Sequence, residues 1–150
     1  MYKSCFMFGH ADTPQSVLPE LERAIESHYS NYGIQSFYVG NRGNFDSLAA
    51  KAVRNVKQRH PDMRLYLVLA YHPAEREPDL YGGYDNSYYP PIEGTPRPYA
   101  IVKANQYMVD TSDSIICFVR HLGNTRNLLE YAQRRKAKDS IPIENLAENM

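Results

Sequence analysis

Three short apolar runs, each handed through a polar, glycine-bearing turn to a segment of helical period, set the narrowest limit on how this chain folds. Lys3 to Phe8 stops at Gly9-His10, Gln35 to Val39 runs into Gly40-Asn41-Arg42-Gly43, and Ser114 to Val119 precedes a turn containing Gly123. A fourth run, Leu65 to Ala70, is nearly continuous in apolar residues. Runs of this length bounded by glycine read as strands, and unbroken ones read as parallel strands covered on both faces. The segments between them keep a helical period. Val17, Leu18, Leu21, Ala24, Ile25, His28 and Tyr29 share one face, with Gly33 as the stop; Leu48, Ala49, Ala52, Val53 and Val56 share another before Pro61. Ala100 to Thr111 and Thr125 to Lys138 repeat the pattern, the second ending in Arg134, Arg135, Lys136 and Lys138, where cations favour the helix dipole.

Strands alternating with helices of this length build right-handed βαβ units. The expected fold is therefore α/β: a Rossmann-like three-layer α/β/α sandwich with a mostly parallel sheet of about five strands, the last from Ser140 to Ile143. At 150 residues the chain suits one domain spanning 1–150. Between about 72 and 99 lie Pro73, Pro78, Pro90, Pro91, Pro96 and Pro98, with Tyr81, Tyr84, Tyr88, Tyr89 and Tyr99 and no clear period, which reads as a long loop of the kind used as a lid or binding segment.

Composition removes several function classes. Seventeen Lys and Arg balance seventeen Asp and Glu, so a nucleic-acid or anionic-membrane partner is not expected. Cys5 and Cys117 sit inside apolar runs as buried free thiols. With no signal-like start and no long apolar span, a cytoplasmic location is expected.

Parallel strands deliver their carboxyl ends to one edge, where ligands bind beside the reversal of strand order. Three turns belong there: Gly9 to Thr13, Gly40 to Asn44, and Leu122 to Thr125. Glycine admits a ligand close to the backbone, and the helix that follows offers unpaired N–H groups and a positive dipole end, a combination suited to phosphate. Gly9, Gly40, Gly43 and Gly123 are the candidate cradle, with Asn41, Asn44, Asn124 and Thr125 as caps or ligand contacts and His10 at the strand end facing the pocket. Asp46 caps its helix or accepts from a ribose hydroxyl. No turn has the G-x-G-x-x-G or Walker A spacing, and no G-x-S-x-G is present. The histidines lack metal-ligand spacing, so neither a metal nor a cofactor is expected; His28, His60 and His72 read as surface residues.

Phe8-Gly9-His10 with Asp12-Thr13-Pro14, Phe37 to Asn41 with Gly43 to Asp46, Leu67 to Tyr71, and Lys103, Asn105, Met108 and Ser112-Asp113 follow in an order that resembles the YpsA-like branch of the SLOG superfamily, over about residues 3–136. The resemblance implies a Rossmann-like domain that binds a nucleotide or nucleotide-derived signal, adds Lys103 and Asn105 to the ligand contacts, and suggests a homodimer. Ala11 and Ala104 stand where that branch carries arginines, and Leu122-Gly123-Asn124 replaces a Gly-Gly-Ala type of turn. Arg42, Arg97, Lys103, Arg120 and Arg126 are the cations available instead. Binding or sensing is the leading expectation. The alternative is an N-glycosidic phosphoribohydrolase like the Lonely Guy enzymes of the same superfamily, with Glu130 or Asp46 as its carboxylate. A third reading is a protein-interaction module that has lost its ligand.

Overall fold

The computed structural model describes residues 3–75, 78, 80 and 83–150. The strands are β1 (Lys3–Gly9), β2 (Ile34–Val39), β3 (Arg64–Val68), β4 (Asn86–Tyr88), β5 (Ser114–Phe118) and β6 (Ile143–Asn145), and the helices α1 (Leu18–Tyr32), α2 (Asn44–Lys57), α3 (Ala100–Thr111) and α4 (Asn124–Asp139). All strand pairs are parallel, in the order β4-β3-β2-β1-β5-β6. The expected Rossmann-like α/β sandwich is present.

Each helix begins and ends for local reasons. Pro19 sits in the first turn of α1, where its missing N–H costs nothing, and Gly33 closes the helix with φ +70°. In β1 the side chains alternate: Cys5 and Met7 pack with α1 and α2, whereas Phe6 and Phe8 face the cluster containing Met108, Val109, Leu129 and Ala132 of α3 and α4. Both faces of the central strand are thus buried, as its unbroken apolar sequence requires. Right-handed crossovers that move one way across the sheet place their helices on one face, and those that move the other way place them on the opposite face. That rule separates α1 and α2 from α3 and α4.

Two boundaries depart from the sequence reading. The stretch from 72 to 99 contains β4, held to β3 by Leu69 N–H donating to Tyr88 O at 2.8 Å and by Asp85, whose N–H donates to Leu65 O and whose carboxylate accepts from Leu65 N–H and Lys57. Three polar residues beside paired prolines carry no periodic signal; only the neighbouring strand defines them. Tyr81, counted in that loop, lies outside the described residues. The last strand begins at Ile143, where the sequence reading ended it. Among the described residues, no helix is long and apolar enough to cross a membrane.

Candidate functional site

β1 has β2 on one side and β5 on the other, so the chain leaves β1 in one direction and returns on the opposite side. β1 and β5 stay paired to their carboxyl ends, and the chain leaving them runs to opposite faces of the sheet, which makes this a topological switch point. A cleft of about 410 Å³ opens there, large enough for a small organic ligand. Of the residues expected at the site, Gly9, Gly40, Asp46, Asn105, Asn124 and Thr125 line it. His10, Asn41, Gly43, Asn44, Lys103 and Gly123 are not among the lining residues, and Glu130 sits exposed on α4, also outside it.

The turn into α2 is closed by the protein itself. Asn44 N–H donates to Ala11 O at 3.0 Å, Phe45 N–H to His10 O at 3.3 Å, and Arg42 N–H to Asp46 Oδ2 at 2.9 Å. Groups that could hold phosphate are spent on holding the β1 and β2 turns together. The glycines serve the same packing: a Cβ on Gly9 would lie 2.4 Å from Cγ of Phe45, and one on Gly43 would lie 2.5 Å from Cα of Ala11. Gly40 differs, since its nearest neighbour would be the Asp46 carboxylate at 3.1 Å. Burial pushes the Asp46 carboxyl up to about 6, against the opposing pull of the Arg42 N–H and guanidinium.

The turn into α4 is open. Gly123 has φ +138°, a backbone state that side chains strain to adopt, and nothing lies within 4 Å of where its Cβ would be. Among the described residues the N–H groups of Asn124, Thr125 and Arg126 have no backbone or side-chain acceptor, as expected of a first helical turn. Arg126 Nε is buried there without a partner. Two side chains fix the approach to this turn. His10 is buried, and its Nε2 accepts from the N–H of Arg120 at 2.9 Å and of His121 at 3.3 Å. Asn145 accepts from Val119 N–H and donates to Val119 O, both at 2.9 Å. His10 thus positions the turn instead of lining the cleft. Asn145 was not singled out from the sequence, because an asparagine in a terminal strand gives no local sign of its partner across the sheet. Arg134, read as a dipole partner at the end of its helix, lines the cleft beside Tyr131.

His10, Asp12 and His121 bring three metal-ligating side chains within 4.8 Å of one another. Their geometry opposes a shared ion. The two imidazoles stack with centroids 3.5 Å apart and planes 8° from parallel, so their in-plane lone pairs run side by side and cannot converge on one metal. His10 Nε2 is also occupied by the backbone. Burial and the neighbouring His121 hold His10 below the usual histidine range, whereas the Leu122 carbonyl and Asp12 raise His121.

At the other end of the sheet His28 is buried, contrary to its assignment to the surface; Nδ1 meets Ser114 Oγ at 2.9 Å and Nε2 meets Glu144 Oε1 at 3.1 Å. Ser114 is fully buried and out of reach of any substrate. Cys5 and Cys117 are free and buried, and burial raises both thiols, Cys5 to about 12. No protein-family profile matches this chain, and no curated protein is detectably similar to it.

Proposed function

We propose that the switch-point cleft binds or senses a nucleotide or nucleotide-derived small molecule, with its phosphate on the first turn of α4 and a ribose hydroxyl donating to Asp46. The observation that carries this reading is one cleft that joins the open amino end of α4 to a largely desolvated carboxylate. Arg42 and Arg134 line the same cleft and supply positive charge, and Phe8, Val68, Ala70, Ile101 and Leu128 supply an apolar wall for a base. The order of sequence blocks resembling YpsA-like SLOG domains supports the same ligand class. On this reading the phosphate sits on the Asn124–Thr125 turn and not on the Gly40–Asn44 turn, where the Arg42 and Asn44 N–H groups are already bonded.

Thermal unfolding with AMP, cyclic nucleotides and inorganic phosphate tests the proposal. A ligand present at 100 times its Kd adds about 2.7 kcal/mol to stability. Arg134→Ala should reduce the shift for AMP. A chain whose midpoint moves with none of these probes would favour the interaction-module reading.

One observation also favours catalysis. Asp46 is the acidic residue lining the cleft among the described residues, and a carboxyl near 6 exchanges protons readily at neutral pH. Release of free base from AMP, abolished in Asp46→Asn, would establish a phosphoribohydrolase. Glu130 is not among the residues lining the cleft.

A further inference from the structure

Ala70, just beyond β3, borders two clefts. The first is the switch-point cleft; the second, of about 390 Å³, is walled by Tyr71, His72, Tyr89, Ile92 and Arg97. Tyr71 marks where their charged groups meet. Cζ of Arg97 lies 4.3 Å from the centre of its ring and Cζ of Arg42 lies 5.8 Å from it; Arg97 lines the second cleft and Arg42 the first. The two distances cap the separation of the guanidinium groups at about 10 Å, so the like charges repel each other and an anion beside both would relieve the repulsion.

Neither cation is strongly neutralised by the protein. Arg42 makes no ion pair among the described residues. Arg97 meets Glu75 at 3.4 Å, but both side chains are mostly exposed, and such pairs contribute little. The second cleft also has the lining a ring system needs. Tyr89 is half-buried and meets His72 edge to face at 5.4 Å, while Glu75 and Glu93 offer acceptors for hydroxyl or amine hydrogens.

We infer that the ligand is bipartite: two nucleoside-like halves joined by a diphosphate, one half in each cleft, with the first phosphate on the α4 turn and the second beside Arg42 and Arg97. This rests on the nucleotide reading of the first cleft and extends it to a dinucleotide class.

Calorimetric titration of the full chain with AMP, ADP, ADP-ribose and NAD+ tests it. ADP carries the diphosphate without a second half. The expected result is that ADP-ribose or NAD+ binds at least about tenfold tighter than ADP. Tyr89→Ala should bring that ligand down to the level of ADP and leave AMP within about twofold, and Arg97→Ala should weaken every ligand that carries a diphosphate while sparing AMP. Binding of AMP with no gain for ADP-ribose or NAD+ overturns the bipartite site and leaves the mononucleotide reading standing. A gain that survives both substitutions also overturns it, since the second half then lies elsewhere. Failure of all four probes to bind overturns both readings.

Discussion

Gly9, Gly40 and Gly43 look alike in the sequence, each in a turn after a strand, yet they meet different surroundings. Gly9 and Gly43 are filled against Phe45 and the Ala11 backbone, so Gly9→Ala and Gly43→Ala should each cost about 1–3 kcal/mol by overpacking. Gly40→Ala should cost less than about 1 kcal/mol, because the nearest group is a carboxylate that can shift. Urea denaturation of the three variants checks the order, and a Gly40→Ala loss as large as the others would contradict it. Asp46 gives a second residue-scale expectation. Its carboxyl rises from 3.8 to about 6 on folding, so the folded state binds the proton more tightly and the chain loses stability as pH climbs from about 4 to 6. Asp46→Asn keeps an oxygen for the Arg42 N–H and removes the buried charge. It should therefore be more stable than the parent by about 3 kcal/mol at pH 8 and nearly equal to it at pH 3.5, as measured by denaturation at both values. That the residue stands in the cleft was legible in the sequence; that burial lifts its carboxyl was not, since it depends on the surrounding turns.

At the scale of elements, the strand and helix periods placed β1, β2, β3, β5 and all four helices nearly where they occur, because each buries a face whose spacing is written in its own residues. The helical period that grouped His28 with Leu21, Ala24 and Ile25 was the better guide to it than its polarity. His28 ties α1 to Ser114 of β5 and Glu144 of β6, and Glu144 in turn meets Arg23. Burial lowers the His28 pKa below 6.5 more strongly than Glu144 raises it, so the folded state keeps the ring neutral. Stability from this junction is complete above pH 6.5 and declines as pH falls below that value, because the unfolded chain takes up the proton first. The decline should not exceed about 1.4 kcal/mol per pH unit, and His28→Gln should show a shallower slope between pH 6.5 and 5. Denaturation across that window decides the matter; an unchanged slope would assign the acid sensitivity elsewhere.

Across the whole molecule, the site depends on a strand from the far end of the chain. Asn145 of β6 satisfies both backbone groups of Val119, one residue before the stretch that His10 holds. Asn145→Leu should leave a buried N–H and carbonyl without partners, cost about 2–3 kcal/mol, and weaken AMP binding beyond what the stability loss explains. Parallel calorimetry and denaturation separate the two effects, and intact affinity in that variant would show the α4 turn to be ordered without β6. The apolar runs, their lengths and their helical partners determined from sequence alone that this chain forms a Rossmann-like sheet with its turns along one edge, because burial of periodic faces is a local property of the pattern. Which turn stays open for a ligand was decided only by tertiary structure. The N–H groups of Arg42, Asn44 and Phe45 find partners on Asp46 and on β1's turn, those of Asn124, Thr125 and Arg126 find none among the described residues, and a hydrogen bond between residues far apart in sequence leaves no periodicity to read.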